Sequence, residues 1–312
     1  MNNVLIAIDR FCENSTQPRT KLIENGFGII ESSAHSPISG NKENEWESIR
    51  YIIAGLELYD AERLDMFPRL RAISRVGVGT DNIDLDAARS RGIDVLITSD
   101  KPSTAVSELV IGNIITLLRR VHTMDVSLKA GNWMPIQGRN LAGCVVGIVG
   151  FGSIGKAVAR RLKPFGVKVY AYGRNWRDEF TAEYSVERCE SLVEIFKLSD
   201  IVTIHLPHTK LTDKIIGASL ISQLKPGAVL INTSRAGVID NQFLANSLRN
   251  NLIAGAAIDV FDEDRSVFPY GGVDNIILTP HIGSHTRETR KAMEQDAVDN
   301  ILIHAGLKDE AD

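Results

Sequence analysis

The run from Val145 to Gly155 constrains this chain more than any other segment. It reads Val-Val-Gly-Ile-Val followed by Gly-Phe-Gly-Ser-Ile-Gly. That is a buried strand, a glycine turn and the start of a helix. The glycines at 150, 152 and 155 have the spacing G-x-G-x-x-G. The first permits a tight turn at positive φ, the second lets a pyrophosphate approach the backbone, and the third lets the helix pack closely on the strand. A helix starting at Ser153 and Ile154 presents free N–H groups and a partial positive charge to the phosphates. Glycine turns of this kind are common, so the context carries the weight. An apolar strand precedes the motif, a helical pattern over Lys156–Phe165 follows, and a second strand, Val167–Tyr172, comes at βαβ spacing. The pattern implies dinucleotide binding.

Short apolar runs alternate with helical stretches along the whole chain. Strand-like runs are Val4–Ile8, Tyr51–Ala54, Ala72–Ser74, Val95–Thr98, Val145–Val149, Val167–Tyr172, Ile201–His205, Ala228–Asn232, Ala254–Ile258 and Ile276–Leu278. Brief runs rich in isoleucine and valine suit parallel strands covered on both faces. The alternation predicts an α/β fold with parallel sheets.

The glycine motif normally marks the first strand of its sheet, yet here about 140 residues precede it. They carry βαβ units of their own and are expected to form a separate domain. The 312 residues are enough for two domains, each with a core. Thr104–Lys129 reads as one long helix that could connect them, ended by Gly131-Asn132-Trp133. Arg287–His304 reads as a helix beyond the last strand that could cross back onto the first domain. The expected division is 1–98 plus 286–312, and 99–285.

Composition excludes several partners. The net charge of −4 advertises no nucleic acid. No run of about 18 apolar residues could span a bilayer. The first residues lack a basic flank and an apolar run long enough for a signal peptide. Cys12, Cys144 and Cys189 are widely spaced and odd in number, which suits neither a metal site nor a disulfide framework. The expectation is a cytoplasmic protein with no metal, no membrane and no nucleic acid.

Three segments place polar residues directly after an apolar strand, where an open parallel sheet faces its ligand crevice. The first contains Asn232-Thr233-Ser234-Arg235-Ala236-Gly237. Arg235 sits between small residues and reads either as a surface arginine or as a fork that holds a carboxylate bidentately. The second runs Asp259-Val260-Phe261-Asp262-Glu263-Asp264, four acids that alternatively form a solvated turn. The third is Thr279-Pro280-His281-Ile282-Gly283, whose histidine is either a satisfied loop residue or an acid–base group.

Together these segments resemble the D-isomer-specific 2-hydroxyacid dehydrogenases, a family that includes D-3-phosphoglycerate dehydrogenase and glyoxylate/hydroxypyruvate reductase. The resemblance spans most of the chain. It takes in Arg75-Val76-Gly77-Val78-Gly79-Thr80-Asp81-Asn82-Ile83-Asp84, the glycine motif, His205-Leu206-Pro207 and the three segments above. It implies two doubly wound parallel-sheet domains, Rossmann-like and flavodoxin-like, with the cofactor domain inserted into a substrate domain built from both chain ends. It also implies a homodimer.

The resemblance assigns roles residue by residue. Arg235 matches the arginine that orients the substrate carboxylate and polarises the keto oxygen. His281 matches the general acid that protonates that oxygen as hydride reaches C2, a role that suits a group titrating near neutral pH. The family's glutamate, paired with the histidine, falls at Asp264. Aspartate therefore replaces glutamate, and Arg265 stands where proline is usual. Asp264 still supplies a carboxylate that favours protonated His281, although Glu263 could take the role. Asp259 matches a residue near the nicotinamide carboxamide, and His205, Pro207, Thr233 and Ser234 match further cofactor contacts. The backbone of Val76-Gly77-Val78-Gly79 matches the loop that closes on the substrate carboxylate.

At the end of the second Rossmann strand, Gly173 stands where an NAD-preferring member usually carries an aspartate. Arg174 and Asn175 follow. This resembles NADP-using reductases, so NADP is expected to be preferred over NAD. Arg75 stands where phosphoglycerate dehydrogenases place an arginine near the substrate phosphate. With Lys101 it could bind a second anionic group, or the two could pair with Asp81 or Asp100. The substrate is thus a small 2-keto or 2-hydroxy acid, either phosphoglycerate-like or hydroxypyruvate/glyoxylate-like. A nucleotide-sensing corepressor and a formate- or phosphite-type dehydrogenase remain as alternatives on the same fold.

Overall fold

The computed structural model describes residues 2–32, 46–174, 176, 178–261 and 268–309. They form two compact units, residues 1–102 with 286–312 and residues 103–285.

The first unit is built on five parallel strands: β1 (Asn2–Ala7), β2 (Phe27–Glu31), β3 (Ile49–Ala54), β4 (Ala72–Arg75) and β5 (Asp94–Ile97). Their order is β2-β1-β3-β4-β5, the flavodoxin-like arrangement that reverses direction between β1 and β3. Each face of the sheet carries its own core. One face meets the helix Arg287–His304, which buries Met293, Ala297, Val298, Ile301 and Leu302 against Val4, Ile6, Tyr51 and Ala72. These positions recur at helical spacing, and each large aliphatic side chain removed from water contributes about 1.5–3 kcal/mol. The opposite face packs Leu64 and Ala88, from the helices Ala61–Asp65 and Leu85–Ser90, against Leu5, Ile52 and Ile73.

The second unit has seven parallel strands: β6 (Val145–Val149), β7 (Lys168–Tyr172), β8 (Val186–Arg188), β9 (Ile201–Ile204), β10 (Val229–Asn232), β11 (Gly255–Ile258) and β12 (Ile276–Leu278). Their order is β12-β11-β10-β9-β6-β7-β8. This is the Rossmann order with a seventh strand beyond the sixth, and the glycine-motif strand is central. The helices Ser103–Leu118 and Ser153–Leu162 cover one face. The helices Leu192–Leu198 and Asn241–Arg249 cover the other. Both sheets thus match the parallel α/β fold expected from the alternation of strands and helices, and the doubly wound architecture that the resemblance implies.

Two features differ from the sequence expectation. The edge strands β2 and β8 were not foreseen. The single long helix over Thr104–Lys129 is two helices, Ser103–Leu118 and Val121–Lys129, separated at Arg120, which adopts φ +54°. A contact distant in sequence marks the break. The carbonyl of Leu118 accepts the backbone N–H of Arg139 at 2.9 Å, and Gly138 packs so closely that a Cβ there would lie 2.6 Å from the same oxygen. The second helix ends as expected, with Gly131 at φ +83°. All three cysteines are free. Among the described residues no helix is long and apolar enough to cross a membrane.

Candidate functional site

The strand register aligns the candidate residues of the second unit. Tyr172, Val149, Ile204, Asn232, Ile258 and Leu278 lie in one row across β7, β6, β9, β10, β11 and β12. The next residue of each strand is Gly173, Gly150, His205, Thr233, Asp259 and Thr279. The carboxyl rim of the sheet therefore presents the glycine turn at one end and the histidine loop at the other.

Each glycine of the motif has a distinct physical need. Gly150 sits at φ +98°, and a Cβ on it would lie 2.4 Å from the His205 carbonyl oxygen. A Cβ on Gly155 would lie 2.3 Å from the Gly150 oxygen, so helix and turn touch backbone to backbone. Gly152 is exposed, and a Cβ there would meet nothing. It is the N-cap of the helix Ser153–Leu162, which has no side-chain cap and no acid in its first turn. The first turn of that helix thus has uncapped N–H groups and open space beside Gly152, as a pyrophosphate requires.

Two buried polar atoms on the rim lack a hydrogen-bond partner among the described residues: Thr233 Oγ1 and His205 Nδ1. The other ring nitrogen of His205 lies 3.0 Å from Thr203 Oγ1. Desolvation pushes the His205 pKa down, so the ring is neutral at physiological pH. Buried polar groups are normally paired. An open glycine cradle with two orphaned rim atoms beside it fits a dinucleotide. Pro207 also lies on this side, and its carbonyl accepts from Thr212 Oγ1 at 2.7 Å.

Beyond the first turn, Gly173 packs against Phe151, and a Cβ there would lie 2.7 Å from the Phe151 Cβ. Close packing thus accompanies the missing carboxylate. Arg174 is exposed. Trp176 leans on Phe151, with ring centroids 5.2 Å apart, and Arg188 sits 5.5 Å over the Trp176 ring. Asn175 lies outside the described residues.

The loop after β10 is tied by its own asparagine. Asn232 Oδ1 accepts from Ser234 N (3.0 Å) and Ser234 Oγ (2.8 Å), and Asn232 Nδ2 donates to the Arg235 carbonyl at 2.9 Å. Arg235 is half-buried, and its Nη1 donates to the Ser234 carbonyl at 2.7 Å. Asp259, 1% exposed, braces the histidine loop. Its Oδ1 accepts from Thr279 Oγ1 at 2.6 Å and Ile282 N at 2.9 Å, and its Oδ2 from Gly283 N at 2.8 Å. His281 is exposed and adopts φ +56°. A non-glycine residue held in the left-handed region costs of order 1–3 kcal/mol and persists only where its surroundings fix it. Asp264 and Glu263, the two candidates for the histidine's partner, lie outside the described residues.

In the first unit, Gly77 adopts φ +143° and donates its N–H to Thr98 Oγ1 at 2.8 Å. Val78 is exposed and Gly79 half-buried. Arg75 is 6% exposed, and its Nη1 donates back to the Val76 carbonyl. Lys101 pairs with neither Asp81 nor Asp100; its Nζ lies 3.7 Å from Asp296 Oδ1, on the helix Arg287–His304. Thr279 and Thr98 carry roles that no motif in the sequence marks. Both are polar residues at a strand's carboxyl end, a signal that a known register would have exposed.

The chain matches the family model described as D-isomer specific 2-hydroxyacid dehydrogenase, NAD binding domain, over residues 111–283. It is 36% identical over 260 residues to a glyoxylate reductase of Thermococcus litoralis, covering 79% of this chain and 77% of that protein. It is likewise 36% identical to a (S)-sulfolactate dehydrogenase of Chromohalobacter salexigens, covering 80% and 82%. Among solved structures it resembles an NADPH-dependent glyoxylate/hydroxypyruvate reductase from Sinorhizobium meliloti in complex with NADP and malonate. That likeness has a TM-score of 0.83 at 28% identity and covers 97% of this chain and 93% of the other.

Proposed function

The chain belongs to the D-isomer specific 2-hydroxyacid dehydrogenase family, and we propose that it is an NADP(H)-preferring reductase of small 2-keto acids of the hydroxypyruvate or glyoxylate type. The observation that carries this reading is the single rim on which the glycine cradle, Thr233, Asp259 and Thr279 follow one another. Arg235 and His281 lie two residues beyond Thr233 and Thr279.

Nicotinamide, when bound, supplies or takes the hydride at C2. Arg235 holds the substrate carboxylate through its fork and polarises the keto oxygen. His281 gives that oxygen its proton in reduction and takes it back in oxidation. A carboxylate at Asp264 favours the protonated imidazole. Asn232 fixes the loop that carries Arg235, and Asp259 fixes the loop that carries His281. Val76, Gly77, Val78 and Gly79 receive the carboxylate on their backbone.

NADP(H) is favoured because Gly173 offers no carboxylate to repel a 2′-phosphate, and the exposed Arg174 follows it. A phosphorylated substrate is disfavoured because Arg75 is turned inward and Lys101 already faces Asp296. A homodimer is supported by the helix Val121–Lys129, which buries no residue and continues into the exposed Trp133 and Met134.

Initial rates with NADPH and NADH on hydroxypyruvate, phosphorylated hydroxypyruvate, glyoxylate and pyruvate test the reading. It expects the highest kcat/KM with NADPH and an unphosphorylated acid. Tight NADPH binding without turnover on any of the four would reject it.

A further inference from the structure

Arg75 ends β4 as a cation withdrawn from water, 6% exposed. A guanidinium is costly to bury unless its surroundings use its charge. Here they do. Its Nη1 donates to the carbonyl of Val76, the first residue of the loop. The head also fills the space beside Gly77, where a Cβ would lie 2.5 Å from Nη1 and 3.0 Å from Cζ. Gly77, at φ +143°, is fixed in turn by Thr98, and the Val76 N–H donates to the Ala54 carbonyl at 2.9 Å.

A second buried charge stands near the first. Glu57, 7% exposed, accepts the Gly55 N–H on Oε2 at 2.8 Å. Burial pushes its carboxyl up, while backbone N–H groups, then Arg63 and Arg75, pull it back. Asn82 Nδ2 donates to the carbonyls of both Gly55 and Glu57, at 3.2 and 2.6 Å, and so ties the loop after β3 to the loop after β4. The Val76–Gly79 backbone therefore packs on the buried Arg75 head, with the Glu57 loop tied alongside through Asn82.

We propose that Arg75 is a positioning residue, supported by Glu57, that shapes the Val76–Gly79 backbone and makes no contact with the distal end of the substrate. The consequence for substrates rests on the reading above, in which this loop receives the carboxylate common to all 2-keto acids. Losing the brace then weakens every such acid alike. A direct phosphate ligand would instead matter only for a phosphorylated one.

Arg75→Met and Arg75→Lys are compared with wild type on hydroxypyruvate and on phosphorylated hydroxypyruvate. Loss of a hydrogen bond from a charged group corresponds to about ten- to hundredfold. The expected result for Arg75→Met is that loss in kcat/KM, equal for both acids, carried by KM, with the NADPH Kd unchanged and partial recovery in Arg75→Lys. A loss confined to the phosphorylated acid, or no loss at all, overturns the proposal. Hydrogen exchange at the amides of Gly77 and Val78 gives a readout without turnover. It is expected to quicken at least tenfold in Arg75→Met while β7 stays unchanged, and unchanged exchange at Gly77 overturns the brace. Glu57→Gln, which keeps the shape and removes the charge, serves if Arg75→Met does not fold, with the same direction expected in exchange and in KM. If wild type reduces neither acid, the proposed function fails and the exchange result still decides the role of Arg75.

Discussion

Gly152→Ala separates cofactor binding from folding. Gly152 is at φ −84°, ψ −159°, a conformation open to alanine, and an added Cβ meets no atom of the folded chain. Two small effects oppose each other. Alanine restricts the unfolded chain, worth about 0.4–1 kcal/mol of stability, and is a poorer N-cap than glycine by about as much. Tm should therefore stay within a few degrees of wild type. The new methyl occupies the space through which a pyrophosphate reaches the first-turn N–H groups. Removing one charge-assisted hydrogen bond costs about 1.5–3 kcal/mol, so NADPH should bind about ten- to hundredfold more weakly. Gly155→Ala is the control with the opposite signature. Its Cβ would lie 2.3 Å from the Gly150 oxygen, so helix and turn must separate at a cost of about 1–3 kcal/mol and Tm falls. The assays are thermal unfolding without cofactor and fluorescence titration with NADPH. Unchanged NADPH affinity in Gly152→Ala would refute the placement of the pyrophosphate.

Four further outcomes follow from single contacts. Thr279→Val removes the 2.6 Å bond to Asp259 and should lower kcat about tenfold with little change in NADPH Kd; an unchanged kcat contradicts the brace on His281. Arg174→Ala should weaken NADPH about ten- to hundredfold and leave NADH unaffected by titration. Burial works to raise the Asp299 carboxyl, but hydrogen bonds from Lys21 and Lys308 overcome it and hold the group below its usual 3.8. A lowered carboxyl contributes stability above that value and loses it as pH falls through the folded pKa, so Asp299→Asn should lower Tm at neutral pH and by less in acid. On the proposed homodimer, Trp133→Glu, at a side chain 82% exposed, should shift sedimentation from dimer to monomer, and a sedimentation coefficient equal to wild type contradicts that interface.

The central strands were legible because each is a short, mostly apolar run, as in Val229–Asn232 and Ile201–Ile204. The glycine motif was legible because backbone contacts at Gly150 and Gly155 forbid a side chain, while Gly152 leaves the start of the helix open. The edge strands were not. Val186–Arg188 exposes Glu187 and Arg188, and Phe27–Glu31 buries only Phe27 fully, so neither shows the continuous apolar run of a covered strand. The helix break at Arg120 carries no glycine or proline, and the Arg139 contact beside it is distant in sequence. Arg75 and Lys101 were legible as cations but not in direction. Only the fold shows one turned under Gly77 and the other facing Asp296. Asp259 was singled out through the resemblance, yet its grip on the Thr279–Gly283 loop depends on neighbouring strands whose register sequence does not reveal.

Transfer of a label tests the central claim most directly. NADPH deuterated at the transferring position of its nicotinamide is incubated with hydroxypyruvate and the protein, and the product is examined for deuterium and chirality. The account predicts D-glycerate labelled at C2, with the rate lost in Arg235→Ala and His281→Ala. Product without deuterium at C2, or of the opposite hand, would contradict it.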